Sequence, residues 1–405
     1  MKLASLLLLV LSSLPLAAER KAIFPPGSKP IGPYSPGIFA GDFLYVSGQG
    51  SRNASGSMGS TPEQSVRQCF ENVKTIVTAA GLTMEHLVYL QIYLTPTVDY
   101  DVFNKVWGEY FTKNPPARAT LGVYQIPGGT PVEMNAVAIR DVRMKKPIVP
   151  ASYPKSMNLS PAVEAGGRIY ISGFLGRDVV TGKIPDSPAA QVNLSFNRIK
   201  EVLDTAGLDF RHLVFVNPYL TKNMPARVMN EEYAKRFEFG NTPARATIEV
   251  NFLPHGANIE FTGVAVRDLS QRRAVRPKNM KPSPTASPCV FAGDTFYCSA
   301  KSGFIPGPHG GIYADTVEDQ VRQTMRNLLD GLEEAGLDFS NVVASNVYLD
   351  NLEEFAKMNA VYGQYFPANA PPTRTTVSPL APVERKRSAN GQYPKLEEIS
   401  IVAVR

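Results

Sequence analysis

The hydrophobic positions follow the same succession of patterns three times along the chain. Short runs that alternate apolar and polar residues, rich in aromatic and β-branched side chains, precede a longer stretch in which apolar residues recur at every third or fourth position. Alternation is typical of β-strands, and the longer period is typical of amphipathic helices. The pattern therefore predicts a repeated unit of strands and helices, with its long helices at 66–80, 192–206 and 321–335.

These long helices have clear end signals. The first begins at a capping box, Thr61-Pro62-Glu63-Gln64, with proline at the first helical position. All three are followed by Gly-Leu, where glycine suits the left-handed conformation that ends many helices. A strand, a second helix and two further strands complete each unit. We therefore predict three β-β-α-β-α-β-β units, each an α+β sheet covered by helices on one face.

The repeat sets the domain organisation. A chain of 405 residues is too long for one compact core, and recurrence at a fixed period indicates like domains in tandem. We expect the three domains at 19–145, 150–270 and 278–405. The segments 145–154 and 271–284 between them are rich in proline and basic residues, which predicts linkers.

Composition and charge narrow the range of functions. With 43% hydrophobic and 19% charged residues, the chain is an ordinary globular protein. Its net charge of +6 comes from scattered lysines and arginines, so we expect no nucleic-acid partner. The four histidines are widely spread and the cysteines lack zinc spacing, so we expect no metal site.

The three cysteines differ in their surroundings. Cys69 lies beside the apolar face of the first long helix, which indicates a core residue. Cys289 and Cys298 flank a predicted turn between two strands. A cross-strand disulfide between them is geometrically possible, but the sequence leaves the register of the strands open.

The first eighteen residues form a separate segment. Lys2 precedes an apolar run that is too short to span a bilayer, and small residues follow as far as Ala18. This order is typical of a secretory signal peptide. We expect residues 1–18 to direct export to the periplasm or the medium, and we expect no membrane association after their removal.

Candidate chemistry recurs with the repeat. The motif Pro-Ala-Arg-Ala-Thr occupies 116–120 and 243–247 and returns as Pro-Thr-Arg-Thr-Thr at 372–376, and a glutamate follows each copy on a later strand. An arginine and a glutamate on strands can form a structural ion pair, or they can bind a carboxylate and orient a water molecule. The candidate pairs are Arg118 with Glu133, Arg245 with Glu260, and Arg374 with Glu398.

Five sequence pieces in the first unit together resemble the RidA (YjgF) family. They are Ile-Gly-Pro-Tyr-Ser-Pro at 31–36, Tyr-Val-Ser-Gly-Gln at 45–49, Asn104, the motif at 116–120, and Glu133. The other units match in outline, so the resemblance covers nearly the whole chain after the signal segment. It implies a chorismate-mutase-like fold and clefts between neighbouring units. Three units on one chain are therefore expected to close into a pseudo-trimer within a monomer.

The resemblance also implies a function. Proteins of this family hydrolyse reactive imines and enamines, such as 2-aminoacrylate, to 2-oxo acids and ammonia, without a cofactor. A guanidinium fork can hold a substrate carboxylate, and a glutamate can orient water towards the C=N carbon. The catalytic candidates are Arg118, Glu133, Arg245, Glu260, Arg374 and Glu398, and the substrate-binding candidates are Tyr34, Ser47, Asn104 and Thr120.

The three units do not carry equal sets of these residues. Tyr34 is replaced by Leu159 in the second unit and by Ala286 in the third. This divergence ranks Arg118 first among the arginines and favours a structural role for Arg374. A non-catalytic carboxylate-binding protein remains an alternative, and RNA cleavage is a less favoured one. Because each cleft of a trimer-like ring draws on two units, the sequence leaves open which clefts are complete.

Overall fold

The computed structural model describes residues 20–154, 158–307, 310–389 and 391–405. The predicted signal peptide at 1–18 lies outside these residues. Three similar units follow one another along the chain, and each contains one sheet with helices packed against it.

Unit 1 contains a six-stranded sheet with the strand order β1-β2-β3-β6-β4-β5. Strands β4 and β5 are parallel and the other neighbours are antiparallel. Its elements are β1 (Arg20–Ile23), β2 (Gly37–Ala40), β3 (Phe43–Gly50), α1 (Pro62–Ala79), β4 (Leu87–Leu94), α2 (Tyr100–Tyr110), β5 (Ala117–Gly122) and β6 (Val132–Ile139).

Units 2 and 3 repeat this arrangement. The elements of unit 2 are β7 (Lys146–Ile148), β8 (Ala162–Ala165), β9 (Arg168–Leu175), α3 (Pro188–Thr205), β10 (Leu213–Leu220), α4 (Ala226–Ala234), β11 (Ala244–Arg245), β12 (Ile248–Glu249) and β13 (Ile259–Val266). The elements of unit 3 are β14 (Arg272–Val275), β15 (Cys289–Ala292), β16 (Thr295–Lys301), α5 (Val317–Glu334), β17 (Val342–Leu349), α6 (Phe355–Tyr362), β18 (Thr373–Val377) and β19 (Glu397–Val404).

The long helices form where the sequence predicts them, and for the predicted reasons. The side chain of Thr61 accepts a hydrogen bond from the backbone N–H of Gln64, with Pro62 in the first turn. The apolar stripe of α1, which includes Val66, Phe70 and Val73, is fully buried against the sheet. The helices therefore cover one face of each sheet, as the α+β prediction requires.

Each unit begins with a short strand that the sequence analysis does not predict. β1, β7 and β14 are three or four residues long and pair antiparallel with β2, β8 and β15. Because β7 and β14 lie in the segments expected to be linkers, the second and third sheets begin before residues 150 and 278. Such short strands are held by backbone hydrogen bonds to a neighbour and leave no alternating pattern long enough to recognise.

Pro218 lies in an inner strand of the sheet of unit 2, directly beside the edge of that sheet. It lies in β10 between Asn217 and Tyr219, and a proline has no N–H to donate to the neighbouring strand. The side chain of Asn217 donates instead to the carbonyl oxygen of Ala246, at 3.4 Å. Here the neighbouring strand divides into β11 and β12, whereas β5 and β18 of the other units are continuous.

The faces of the sheets opposite to the helices pack together. One buried cluster contains Tyr45 of unit 1, Tyr170 of unit 2 and Tyr297 of unit 3. Backbone–side-chain hydrogen bonds also join each unit to the other two. In unit 3, Cys289 and Cys298 are opposite each other on β15 and β16 and are joined by a disulfide, while Cys69 is buried and free.

Candidate active site

The arginine and the glutamate of one unit lie in different clefts. Each arginine is on an edge strand that packs against another unit: β18 on β3, β5 on β9, and β11 on β16. The arginine therefore faces the glutamate of that other unit. Cleft A contains Arg374 and Glu133, cleft B contains Arg118 and Glu260, and cleft C contains Arg245 and Glu398. The pairs suggested by sequence order, Arg118 with Glu133, Arg245 with Glu260 and Arg374 with Glu398, are thus separated in space.

A serine fixes each arginine strand to the next unit. The backbone N–H of Arg374 donates to Ser47 Oγ at 3.1 Å, and this hydroxyl donates to the carbonyl oxygen of Ser35 at 2.5 Å. Ser172 and Ser299 hold the amides of Arg118 and Arg245 in the same way, at 2.8 Å. The hydroxyl of Ser47, a predicted substrate-binding residue, is therefore engaged in a contact between units.

Cleft A, with a volume of about 660 Å³, lies between units 1 and 3. The guanidinium of Arg374 lies 5.5 Å from the ring centre of Tyr34 and 5.0 Å from that of Tyr362. Arg374 is 4% exposed, and its Nη1 is buried with no hydrogen-bond partner among the described residues. The same holds for Thr376 Oγ1. Two polar groups are therefore available to a ligand in this cleft.

Glu133 completes cleft A. Burial raises the pKa of its carboxyl group to about 8, and the backbone N–H of Thr376 and the charge of Arg374 oppose that rise. Gly48 makes room for this carboxyl group, because a Cβ atom at that position would clash with Oε1 of Glu133. A glutamate with a pKa near neutral pH can accept and return a proton.

Cleft B, between units 1 and 2, keeps the arginine and the glutamate. Nη2 of Arg118 donates to Tyr100 Oη at 2.8 Å and to Asn104 Oδ1 at 2.9 Å. Burial raises the pKa of Glu260 to about 8, and Gly173 leaves space for its carboxyl group. Asn104 and Thr120, which the sequence groups with Tyr34, thus belong to cleft B, and so does Leu159, the counterpart of Tyr34.

Cleft C, between units 2 and 3, is arranged differently. Ala300 occupies the position of Gly48 and Gly173, so its Cβ fills the space that the carboxyl group takes in clefts A and B. Glu398 instead forms an ion pair with Lys395, at 2.5 Å. Nη1 of Arg245 donates to Asn230 Oδ1 at 2.7 Å. The glutamate of cleft C is therefore not free to orient water as the other two are.

The structure removes the reason for which the sequence analysis ranks Arg118 above Arg374. Tyr34 accompanies Arg374, which was favoured as structural, and Leu159 accompanies Arg118, which was ranked first. The sequence analysis also missed one informative position. The glycine, glycine and alanine at 48, 173 and 300 already distinguish cleft C from the other two in the sequence.

Two further observations bear on the class of site. No cluster of three or more histidine, cysteine, aspartate or glutamate side chains that could hold a metal occurs within the residues that the structure describes. Within the same ranges, no helix is both long enough and apolar enough to cross a membrane.

The fold and the clefts define a protein of three tandem α+β units with arginine- and glutamate-containing sites between units. The chain belongs to the family described as Endoribonuclease L-PSP, which matches residues 26–140, 151–267 and 278–382. This match confirms the tandem repeat and agrees with the family resemblance found in the sequence.

Several single-unit proteins are similar to this chain. A RutC family protein of Saccharolobus solfataricus is 38% identical over 27% of this chain and 89% of its own length. A protein of Dermatophagoides farinae named 2-iminobutanoate/2-iminopropanoate deaminase is 33% identical, and the match covers 31% of this chain and 98% of that protein. The human protein of that name is 35% identical, over 27% and 82%. A crystal structure of the Escherichia coli YjgF gene product is 30% identical, covers 30% of this chain and 99% of its own, and has a TM-score of 0.29.

Proposed function

We propose that this protein hydrolyses 2-imino acids to 2-oxo acids and ammonia, and that cleft A is its active site. The observation that carries the proposal is that two buried, unpartnered groups, Arg374 Nη1 and Thr376 Oγ1, share a cleft with Glu133. Tyr34 lines the same cleft, whereas cleft B has Leu159 in its place. Leaving such groups unpaired costs about 1–3 kcal/mol each, so a ligand that pairs with them is favoured. The names of two relatives, 2-iminobutanoate/2-iminopropanoate deaminase, supply the reaction class.

The residues of cleft A suit each part of this reaction. The planar fork of Arg374 binds the substrate carboxylate, and the faces of Tyr34 and Tyr362 hold the guanidinium in place. Glu133 orients a water molecule towards the carbon of the C=NH₂⁺ group and accepts its proton as the new C–O bond forms. The same proton then passes to the nitrogen, and the carboxylate of Glu133 takes the proton of the new hydroxyl group. As that O–H bond breaks, the C=O double bond of the 2-oxo acid forms, the C–N bond breaks, and ammonia leaves. Water is the only co-reactant.

The raised pKa of Glu133 supports this proton cycle. In the empty cleft, a carboxyl group with a pKa of about 8 is mostly protonated at neutral pH. A cationic iminium carbon bound nearby favours the carboxylate form, because opposite charges attract strongly in a buried site. Substrate binding therefore produces the base where it is needed.

The test is ammonia release from 2-iminopropanoate generated enzymatically in the assay. We expect wild-type protein to exceed the uncatalysed rate and Arg374→Ala to lose at least tenfold, because a charge-assisted hydrogen bond contributes about 1.5–3 kcal/mol. Arg374→Lys should also fail, since an ammonium cannot replace the two-pronged contact. Arg245→Ala, the same change in cleft C, is the matched control and should remain active.

Two outcomes of this assay would contradict the proposal. One is wild-type protein that does not exceed the uncatalysed rate. The other is Arg374→Ala and Arg374→Lys variants that both retain wild-type rates.

Carboxylate binding without catalysis is the second candidate function, and it applies to cleft C. Its Arg245 is partly buried, whereas Glu398 is engaged by Lys395 and does not face a ligand as Glu133 does. Titration of Arg374→Ala protein with pyruvate separates the two functions. Residual binding that Arg245→Ala removes would support a binding role for cleft C.

Export is part of the proposed function. The charged, apolar and small-residue order of residues 1–18 supports it. We expect the mature protein to begin at or near Glu19, and sequencing the N-terminus of protein recovered from outside the cytoplasm tests this. A cytoplasmic protein that still begins at Met1 would contradict it.

A further inference from the structure

Cleft B keeps the polar centre of cleft A, but two polar residues of cleft A are replaced there by apolar ones. Leu159 stands in the place of Tyr34, and Phe174 stands in the place of Gln49. The cavity measures about 80 Å³, against about 660 Å³ for cleft A. The rest of the lining is mixed. Its apolar members are Leu175, Val179 and Pro254, and its polar members include Tyr153, Arg177 and His255.

The polar centre of cleft B still lacks partners. Nη1 of Arg118 and Oγ1 of Thr120 are buried with no hydrogen-bond partner among the described residues. Arg118 is held rigidly, since its guanidinium lies 4.6 Å from the ring centre of Trp107 and its Nη2 donates to Tyr100 and Asn104. Nη2 has both of its N–H groups engaged, so the fixed guanidinium offers the unpaired Nη1 to an oxygen of a ligand carboxylate.

The backbone conformation of His255 also supports a ligand-binding role for cleft B. It lines the cleft and has a φ angle of 58°, a conformation that residues other than glycine rarely adopt. The equivalent position in unit 1 is Gly128, with a φ angle of 73°. The ring of His255 meets the ring of Tyr100 edge-on at 5.1 Å, and Tyr100 in turn accepts a hydrogen bond from Arg118. Strain of this kind persists where the surroundings hold it, which is common at binding sites.

We propose that cleft B is a second binding site, selective for small 2-oxo or 2-imino carboxylates with a branched apolar side chain. The inference rests on the proposed function only in taking the arginine to hold the ligand carboxylate. At about 10–15 Å³ for each water molecule, a cavity of this size holds about five to eight water-sized groups, which restricts it to small ligands. Leu159 and Phe174 would cover the branched end of the ligand, and removing its methyl groups from water favours binding. Cleft A, which is wider and has Tyr34 and Gln49 at these two positions, does not impose this preference.

Calorimetric titration of the full chain with two stable 2-oxo acids tests the proposal. The probes are 3-methyl-2-oxobutanoate, which is branched, and pyruvate, which is not. We expect Arg118→Met to weaken binding of the branched acid at least tenfold and to leave pyruvate binding intact. Arg374→Met, the matched variant, should weaken binding of pyruvate and spare the branched acid. Thermal melts of both variants report whether they fold.

A milder double variant guards against loss of folding. Leu159→Tyr with Phe174→Gln gives cleft B the residues of cleft A and should reduce its preference for the branched acid at least fivefold. The proposal is overturned if the branched acid does not bind wild-type protein at millimolar concentration, or if only Arg374→Met removes its binding. Failure of the proposed hydrolysis would appear in the ammonia assay and not in these titrations.

Discussion

At the scale of single residues, one β-carbon decides where the glutamate carboxyl group of a cleft can lie. Gly48 and Gly173 leave space beside β6 and β13 for the side chains of Glu133 and Glu260. At the equivalent position in unit 3, the Cβ atom of Ala300 occupies this space, and Glu398 forms an ion pair with Lys395 instead. Packing at close range excludes even one added carbon, because interiors have few voids. The glutamate of cleft C therefore lies differently from those of clefts A and B because alanine at position 300 carries a methyl group that Gly48 and Gly173 lack.

Gly48→Ala is therefore expected to inactivate cleft A without unfolding the protein. The added Cβ meets the carboxyl group of Glu133 and forces it away from the water position. Ammonia release should fall at least tenfold, while the melting temperature changes little. Gly173→Ala makes the same change in cleft B and should retain the activity. Equal effects of the two variants would show that Glu133 has no special role.

The pKa of Glu133 predicts the dependence of activity on pH. Because the proposed base is the carboxylate and burial raises the pKa to about 8, kcat/KM should rise with pH and level off near pH 8. Rates measured against the uncatalysed reaction at each pH give the profile. A flat profile between pH 6 and pH 9, obtained with active protein, would argue against Glu133 as the base.

Stability should show the opposite dependence on pH. The pKa of Glu133 is raised from 4.5 to about 8 on folding, so its contribution to stability is complete below pH 4.5 and is lost as the pH rises towards 8. Glu397 has a similarly raised pKa, also near 8, but belongs to none of the three clefts, so it is the matched control. Glu397→Gln should reduce the loss of stability at high pH and leave the pH profile of activity unchanged. Denaturant unfolding between pH 5 and pH 9 measures this.

At the scale of elements, the edge strands that carry the arginines depend on a neighbouring unit. The amide of Arg374 in β18 has its hydrogen-bond acceptor, Ser47 Oγ, on β3 of unit 1. An edge strand has backbone groups without partners on one side, and this contact satisfies one of them. The position of the guanidinium is therefore set by two units at once.

Ser47→Ala tests this dependence. Removal of the hydroxyl leaves the buried amide of Arg374 unpaired, so we expect the free energy of unfolding to fall by about 1–3 kcal/mol. Ser172→Ala removes the same bond in cleft B and should destabilise to a similar degree while leaving the KM of cleft A unchanged. A Ser47→Ala variant with normal stability and a raised KM would instead show that Ser47 contacts the substrate.

The elements differ in how far the sequence predicts them. The capping box at 61–64 and the apolar stripe behind it locate α1 closely, because both signals are local. β7 and β14 were expected to be linkers, because three or four residues that are held only by a neighbour carry no pattern of their own. The disulfide between Cys289 and Cys298 could not be predicted with certainty either. It depends on the register of β15 and β16, which is set by the hydrogen bonds between these strands and not by the local sequence.

At the scale of the whole molecule, the three units contact one another through residues that occupy the same position in each unit but differ in type. Arg168 of unit 2 forms an ion pair with Asp294 of unit 3 at 2.5 Å, and its guanidinium lies 4.4 Å from the ring centre of Phe43 in unit 1. Phe43, Arg168 and Thr295 occupy the same position in the three units. Three identical chains could not make this contact with different residues, so the divergence favours assembly within one chain.

We therefore expect the protein to be a monomer in solution. Light scattering should give a mass close to 44.2 kDa, or slightly less after removal of the signal segment. Contacts among the units cover sheet surface that would otherwise promote association. A mass of about three times that value would show that the units of separate chains assemble together, and would contradict the monomeric pseudo-trimer.

The sequence by itself determined the repeat, the fold class and the residue types of the sites. The periodic apolar positions, the helix ends and the recurring Arg and Glu are all local or regularly spaced signals. Only the tertiary structure decided that Arg374, and not Arg118, shares a cleft with Tyr34 and Glu133. The physical reason is that each cleft forms between an edge strand of one unit and the sheet of another. Residues that are far apart in the chain are adjacent there, and sequence order carries no information about that contact.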